Sequence, residues 1–261
     1  MTTGERRLVY LKEMGIDVWE RRGRESRVDV AETTRPSRRV LQRSSVERRS
    51  ERKDRTPSLT VDSRLSTPDS SSRVAAMDWD ELERTVAACT RCPLHRGRTQ
   101  TVFGVGNKKA QWMIIGEAPG AEEDKQGEPF VGRAGQLLNS MLAAIGLKRE
   151  EVYIANIIKC RPPGNRDPKP EEESACRDFL ERQIRLIRPK IILAVGRIAA
   201  QNLMRVDTPI GKMRGRVYQY QELGIPVVIT YHPAYLLRSP LEKRKAWQDL
   251  LFARAVLEGQ S

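Results

Sequence analysis

Short apolar runs alternate with amphipathic stretches through the chain from residue 79 onward. The apolar runs are typical of strands buried on both faces, and the amphipathic stretches repeat their apolar positions with the period of a helix. This alternation predicts an α/β fold in three α/β/α layers with a mainly parallel central sheet. The predicted strands are 111–115, 152–158, 191–195, 217–220 and 225–230, and the predicted helices are 79–88, 137–145, 171–187 and 197–204.

A long segment rich in glycine and carboxylates, residues 116–136, connects the first predicted strand to the helix expected from Leu137. It contains Glu117, Glu123 and Phe130. Loops between a strand and a helix are usually much shorter, and long ordered ones tend to be functional. The carboxyl edge of a parallel sheet is also where α/β folds place ligands. We therefore expect a functional loop here rather than an ordinary solvated connection.

The first part of the chain differs in composition from the rest. Residues 1–75 carry 18 Lys/Arg against 12 Asp/Glu, with few large apolar residues, within a protein whose formal net charge is +13. Such a segment buries too little surface to offset its ordering entropy. We predict a basic, largely disordered extension over 1–75 and a catalytic domain over 76–261. The charge favours a polyanionic partner, although a solvated charged tail would also account for it.

Residues 5–20 are the exception within this extension, because Leu8, Leu11, Ile16 and Trp19 can form a short apolar face. A short amphipathic segment tethered ahead of a domain is typical of a peptide ligand. The segment resembles the amino-terminal peptide of the psi subunit of bacterial DNA polymerase III, which implies docking on the replication clamp loader. A helix that folds back on its own domain is the alternative. No apolar stretch is long enough for a membrane span and no secretory signal is present, so we expect a cytoplasmic protein without membrane contact.

Four cysteines lie in the second part, as Cys89 and Cys92 in a C-x2-C pair, then Cys160 and Cys176. In a reducing compartment this arrangement indicates a metal site rather than disulfides. The unequal spacing of the two pairs suits either zinc or a [4Fe-4S] cluster, and spacing alone leaves both open.

Two polar residues stand out against apolar surroundings. Asn156 lies inside the strand 152–158, where a buried amide is either a hydrogen-bonding bracket of the core or a group that reads a ligand. His232 follows the last strand and precedes a proline-braced turn, a position at a strand's carboxyl end that favours a functional role.

Taken together, the motifs closely resemble those of the family-4 uracil-DNA glycosylases, bacterial and archaeal repair enzymes that hold a [4Fe-4S] cluster. The resemblance covers about residues 76–258. It implies that the chain flips uracil out of DNA and hydrolyses its glycosidic bond, and it favours a [4Fe-4S] cluster on the four cysteines. The motifs are Gly116-Glu117-Ala118-Pro119-Gly120, Pro129-Phe130-Val131-Gly132, Lys159-Cys160-Arg161-Pro162 and His232-Pro233-Ala234.

The resemblance also implies residue roles in the substrate pocket. Phe130 would stack on uracil, Asn156 would read its N3–H and O4, and Glu123 would exclude the methyl group of thymine. His232, neutral, would donate to O2 of the leaving base. Family-1 enzymes have a water-positioning Asp where this chain has Ala118, which would line the pocket, so Glu117 is the candidate carboxylate; bracing the loop is its alternative role.

On the DNA side, the resemblance implies a wedge entering the minor groove, and arginine loops that contact phosphates. We expect a monomer associated with the bacterial nucleoid. A non-catalytic or differently specific DNA-binding iron-sulfur protein of the same fold is the alternative, and a zinc-stapled nucleotide-binding protein is a more distant one. The expected wedge is Tyr235, Leu236, Leu237 and Arg238, and the expected phosphate contacts include Arg161 and Arg214.

Overall fold

The structure is a computed structural model that describes Lys12 and residues 70–259. The predictions for the peptide 5–20 and for the linker up to residue 69 lie outside the described residues, Lys12 apart. A six-stranded mixed sheet forms the centre, in the order β1-β3-β2-β4-β6-β5. The four inner strands are parallel, and both edge strands are antiparallel to their neighbours. The strands are β1 Val105–Gly106, β2 Trp112–Gly116, β3 Tyr153–Asn156, β4 Ile191–Val195, β5 Val217–Tyr220 and β6 Ile225–Thr230.

Nine α-helices are assigned within the described part of the chain, with short 3-10 turns between them. The helices are α1 Ser70–Ala76, α2 Trp79–Ala87, α3 Ala121–Gln126, α4 Arg133–Ala144, α5 Pro170–Ile187, α6 Arg197–Met204, α7 Ile210–Met213, α8 Pro233–Arg238 and α9 Lys243–Glu258.

Helices cover both faces of the sheet, so the predicted three-layer α/β/α fold is confirmed. On one face, α5 and α6 pack against Ile115 and Ala194 of the inner strands. On the other, α4 and α9 pack against Ile114 and Leu193. Successive strand residues point to opposite faces, so each inner strand contributes to both cores and is apolar apart from Asn156 at the end of β3 and Thr230 at the end of β6.

The sheet brings four loops to one edge. β2, β3, β4 and β6 run in parallel, so the residues that follow their carboxyl ends meet there. β2 leads to Glu117, β3 ends at Asn156 and β6 leads to His232. The chain passes from β2 to β3 on one side and then crosses back to β4, and α/β folds bind ligands at such a reversal.

The structure corrects the element bounds around the loop 116–136. That segment is not one continuous loop, because α3 forms within it, and α4 begins at Arg133 rather than Leu137. Gly135 hid the early start of α4, since glycine is a poor helix former. β1 and the long helix α9 were not predicted at all.

The packed domain begins before residue 76. α1 lies ahead of that boundary, and Val74 and Met77 are buried in a third apolar cluster with Phe179 of α5. No helix among the described residues is long and apolar enough to cross a membrane.

Candidate active site

A cavity of about 410 Å³ opens at the carboxyl edge of the sheet. Residues at or after the carboxyl ends of β2, β3 and β6 line it, together with residues of α3 and α8. Every residue predicted for the substrate pocket lines it, as do several that were not predicted. The predicted ones are Glu117, Ala118, Glu123, Phe130, Asn156 and His232, joined by Tyr235 and Arg238, and the unpredicted ones include Asn165, Arg166 and Asp167.

Phe130 is placed in the cavity by two glycines. Its backbone has a φ of +55°, an unusual conformation for an aromatic residue that points to a functional constraint. A Cβ on Gly116 would lie 2.7 Å from the Phe130 ring and 2.5 Å from Oδ1 of Asn156. A Cβ on Gly135 would lie 1.8 Å from the Phe130 carbonyl oxygen. The absence of both side chains lets the ring and the amide approach each other.

Glu123 fixes the segment that carries Phe130. Its Oε1 accepts hydrogen bonds from the N–H groups of Val131 at 2.9 Å and Gly132 at 3.1 Å. Its Oε2 accepts from the N–H of Gly120 at 3.1 Å, at the start of α3. Hydrogen bonds to an ionised carboxylate are among the stronger ones, so this side chain is held in one position in the cavity wall.

Asn156 presents an acceptor without a protein partner. The residue is 2% exposed, and its Oδ1 is buried with no hydrogen bond among the described residues. A buried unpaired oxygen costs free energy, about 1–3 kcal/mol, unless a ligand completes it. Its backbone carbonyl accepts from Nζ of the buried Lys159 at 3.0 Å, which fixes the end of β3. The side chain therefore fits a group that reads a ligand better than a bracket of the core.

His232 is a neutral donor in this structure. Its Nδ1 accepts from the N–H of Ala234 at 3.1 Å, so the ring proton resides on Nε2. Burial lowers the pKa of His232 to about 4, with a further contribution from Arg238. The ring lies 5.5 Å from that of Phe130, centroid to centroid. At neutral pH the imidazole can donate one hydrogen bond from Nε2 without carrying charge.

Glu117 is the carboxylate whose ionisation is most perturbed in the cavity. Burial, together with the nearby charge of Asp167, raises its pKa to about 7, against an opposing effect of Arg197. Asp167 pairs with Arg197 at 2.7 Å. The next residue, Ala118, is half-buried and packs against the core, and it offers no carboxylate.

Asp167 and Asn165 were missed by the sequence reasoning, although a signal was available. They follow Cys160 in the loop after β3 and therefore had to emerge at the same edge of the sheet as Asn156. Arg166 holds this loop through two hydrogen bonds to the carboxylate of Glu172, at 2.8 and 2.6 Å.

The four cysteines line one cavity, away from the first. Cys89 and Cys92 follow α2, Cys160 follows β3 and Cys176 lies in α5; all four are free, and three are buried. Burial raises the pKa of the Cys176 thiol to about 12. Nη1 of Arg98 donates a hydrogen bond to the Cys89 carbonyl at 2.8 Å and another to the sulfur of Cys160 at 3.1 Å.

The cavity of the four cysteines bears on the two metals left open by the sequence. No three potential ligands among the described residues stand close enough to share one metal ion. Four cysteines around a single cavity form a donor set that suits a [4Fe-4S] cluster as well as zinc. A cationic donor at a sulfur, as Arg98 supplies, also suits ligands that are thiolates.

The residues predicted to face DNA divide into two groups. Tyr235, Leu237 and Arg238 are exposed on α8. Leu236, in contrast, is 1% exposed and packs beneath that helix, so it is not available as a wedge unless α8 unfolds. The short helix α8 has one buried face and one exposed face, so two neighbouring leucines differ in exposure. The sequence of six residues does not indicate which of them is buried.

The two predicted phosphate-binding arginines also differ. Nε of Arg161 donates to Oδ1 of Asn165 at 2.7 Å, on the rim of the cavity. Arg214 instead forms a buried ion pair with Asp249 of α9, at 2.7 Å, and its guanidinium stacks over Tyr231 at 4.4 Å. Its Nε and Nη2 donate to Asp249 and to the Lys245 carbonyl, so this guanidinium joins α9 to the loop after α7.

Comparison with known proteins gives consistent matches. Residues 103–251 match the family model for the uracil DNA glycosylase superfamily. A type-4 uracil-DNA glycosylase of Archaeoglobus fulgidus is 50% identical over 62% of this chain and 84% of its own length. The type-4 enzyme of Thermotoga maritima is 48% identical over 60% of this chain and 82% of its own length. That of Pyrobaculum aerophilum is 44% identical over 67% of this chain and 92% of its own length.

Proposed function

Since this chain belongs to the uracil DNA glycosylase superfamily, we propose that it is a DNA repair enzyme that flips uracil out of DNA and hydrolyses its N-glycosidic bond, leaving an abasic site. One observation carries the proposal. A buried amide oxygen without a partner and a neutral imidazole donor share a cavity with an aromatic ring. A base cannot be reached inside a duplex, and a cavity that stacks and reads its edge is what base flipping requires.

The cavity has the groups that distinguish uracil from cytosine. The ring of Phe130 offers a face for stacking, and Asn156 can accept from N3–H of uracil and donate to its O4. Cytosine presents the opposite pattern and would leave buried polar groups unpaired. Sites built on such hydrogen bonds reject the wrong partner strongly, because the unpaired groups stay buried.

Glu123 is the residue that we assign to the exclusion of thymine. Its carboxylate is fixed by three backbone N–H groups and lines the cavity. A methyl group placed against it would desolvate the charge without offering a hydrogen bond. Because the carboxylate cannot move aside without losing its donors, bulk and desolvation act together.

His232 supplies the main stabilisation of the reaction. When the bond between C1′ and N1 breaks, the bonding electrons pass to the uracil ring and the sugar becomes cationic. Nε2–H of His232 donates to O2 of the departing anion, and one such preorganised donor contributes about 3–4 kcal/mol. A neutral donor suits this role because it does not need to be deprotonated afterwards.

We assign Glu117 to the sugar, where the cation forms and water adds. In its ionised form it either orients the water that adds to C1′ or stabilises the sugar cation electrostatically. The position of Glu117 next to Ala118 and its pKa near neutrality support this assignment. Uracil leaves with the electrons of the broken bond, water adds to C1′, and the proton that the water loses ends on the uracil anion, which gives the free base and the abasic sugar.

We also propose that Cys89, Cys92, Cys160 and Cys176 hold a [4Fe-4S] cluster. Bound there, the cluster would supply iron-thiolate bonds that join α2, the loop after β3 and α5. Cys160 lies in the same loop as Arg161 and Asp167. We therefore assign the cluster a structural role, in which it fixes the loop that presents Arg161 to DNA.

The remaining assignments concern DNA and partners. Tyr235, Leu237, Arg238 and Arg161 form the proposed DNA contact, with Tyr235 and Leu237 as the wedge. Residues 5–20 bind the replication clamp loader, and the protein acts as a monomer in the bacterial cytoplasm at the nucleoid. These last assignments come from the chain's amino-terminal sequence and from the chemistry of the substrate.

A second function is favoured by one residue. Ala118 lacks the carboxylate of family-1 enzymes, which is compatible with a non-catalytic or differently specific DNA-binding protein of the same fold. The two hypotheses differ in whether the protein releases uracil from the DNA that it binds.

Base release from an oligonucleotide containing one uracil distinguishes them, with thymine and cytosine oligonucleotides as controls. We expect an abasic site at uracil alone. The purified protein should absorb visible light at about 400 nm, as iron-thiolate clusters do. His232→Gln should lower the rate at least about 100-fold. Tight binding to the uracil oligonucleotide without release would refute the catalytic proposal.

A further inference from the structure

An exposed leucine stands just beyond the helix that carries the proposed wedge. Leu241 is 92% exposed, far more than the other exposed large apolar side chains of the described residues. Tyr235 and Leu237, a few positions earlier, are also exposed. The other exposed large apolar side chains are scattered. A local concentration of apolar groups in water marks a contact surface, whereas isolated ones need no explanation. The scattered ones are Val206, Val217 and Leu223.

The turn that carries Leu241 is fixed at both ends. It is a 3-10 turn between α8 and α9. The N–H of Ser239 donates to the Tyr235 carbonyl at 2.9 Å, and the N–H of Glu242 donates to the Ser239 carbonyl at 3.0 Å. The Glu242 carboxylate pairs with Lys245 of α9 at 2.8 Å. Leu241 is therefore presented on an ordered support rather than on a loose loop.

The surface around this leucine is basic. Arg238 precedes it, and Lys243, Arg244 and Lys245 follow it. Among the ion pairs of residues 70–259, only Lys245 of this group has a carboxylate partner, Glu242. An apolar group whose neighbours in the chain carry more cations than carboxylates complements duplex DNA, which carries phosphates outside and stacked bases within.

The turn follows directly on the helix that lines the cavity. Tyr235 and Arg238 of α8 line the same cavity as His232. Leu241 lies three residues after Arg238, on a turn that packs against both α8 and α9. The turn therefore continues directly from the helix whose side chains line the cavity.

We propose that Leu241 is a second apolar prong, which enters the base stack of double-stranded DNA beside the vacated position. Tyr235 and Leu237 form the first prong. The assignment rests on the proposed glycosylase function and specifies its substrate as duplex DNA. A single strand has no base pair to open and little stacking to replace, so the prong contributes only when an opposite strand is present.

The test compares Leu241→Ala with the wild-type protein on duplex and single-stranded oligonucleotides that carry the same uracil. We expect the ratio of duplex to single-strand kcat/KM to fall at least about tenfold for uracil opposite adenine. Opposite guanine the fall should be smaller, because a mismatched base is extruded more easily. Leu241→Met should restore most of the ratio, since it keeps an apolar side chain of similar length.

Leu223→Ala is the matched control. Leu223 is 37% exposed and lies at the amino end of β6, the edge of the sheet opposite the cavity. Its substitution should leave the ratio unchanged. An unchanged ratio in Leu241→Ala, or an equal loss on both substrates, would overturn the proposal. If the wild-type protein releases uracil from neither substrate, the proposed function itself fails, and the prong assignment fails with it.

Discussion

At the scale of single residues, the cavity holds groups in states that an isolated fold would avoid. Phe130 has a positive φ, Asn156 has a buried acceptor with no partner among the described residues, and Glu117 has a carboxyl group whose ionisation is opposed by burial. Each of these costs stability in the free protein. Each becomes useful once a flat base with a donor at N3 and acceptors at O2 and O4 fills the cavity.

Glu117→Gln should stabilise the protein at high pH. The pKa of Glu117 is raised from 4.5 to about 7 in the folded state, so the folded protein binds a proton there that the unfolded chain has released. Wild-type stability from this group is therefore present below pH 4.5 and lost as pH rises through about 7. We expect the variant to gain on the order of 2 kcal/mol in the free energy of unfolding at pH 8.

Urea unfolding of both proteins at pH 4.5 and pH 8 measures this gain. The difference between them should nearly vanish at the lower pH, where the Glu117 carboxyl is protonated and resembles the amide. A constant difference at both pH values would show that the carboxyl group titrates normally. Base release by the variant should fall sharply, as expected if the ionised form acts in the reaction.

Asn156→Asp should abolish uracil discrimination or uracil release. The substitution replaces the donor toward O4 by a second acceptor and places a carboxyl group in a buried position. Uracil release should fall at least about 100-fold, with any remaining activity shifted toward cytosine. Asn139→Asp, at an exposed position of α4, is the control and should have no effect. Unchanged preference for uracil over cytosine in Asn156→Asp would reject the reading role.

At the scale of elements, the contact between the start of α4 and the Phe130 segment determines the shape of the site. Gly135→Ala places a methyl group into the Phe130 carbonyl, whose backbone cannot retreat without moving the ring. We expect a loss of about 1–3 kcal/mol in the free energy of unfolding, typical of overpacking, and a loss of base release at least about tenfold.

Gly211→Ala provides the comparison, because nothing lies within 4 Å of a Cβ at that position of α7. Thermal melting and base release of the two variants together separate a local clash from a general effect of replacing glycine. If Gly135→Ala retained wild-type stability and activity, the close approach at α4 would not be required.

The pattern of apolar residues predicted the elements of the sheet well where burial was complete. The bounds of β4, α6, β5 and β6 agree with the predicted ranges, because their apolar runs end at glycine or at polar residues. α9 was not predicted because its buried face consists mainly of alanines and of Asp249, a buried carboxylate that pairs with Arg214. That partner lies 35 residues away along the chain, and periodicity cannot reveal it.

The site was predictable in part for a related reason. Asn156 and His232 stood out as polar residues at the carboxyl ends of apolar strands, and a parallel sheet gathers such positions. The exposure of Leu237 and the burial of Leu236 depend on how α8 packs against α4, which requires the tertiary structure. The burial that raises the pKa of Glu117 likewise has no signature in local sequence.

At the scale of the whole molecule, the described domain contains the cavity, the cysteines and the basic rim. The excess of Lys/Arg over Asp/Glu is shared between the extension and the domain, so the domain alone keeps a basic surface for DNA. Long-range attraction of this kind raises the rate of encounter and weakens with salt. Catalysis itself should then depend little on the amino-terminal residues.

Deletion of residues 1–69 should therefore leave uracil release from an oligonucleotide within about twofold of the full chain, and the melting temperature nearly unchanged. A deletion of residues 1–78 is the matched control, because it also removes α1. Val74 and Met77, which pack on Phe179, would be lost, and two buried apolar side chains stabilise by about 1.5–3 kcal/mol each. Only the longer deletion should lower the melting temperature. If the shorter one already abolished base release, the extension would belong to the catalytic unit, and its basic residues would have to act on the DNA at the site itself.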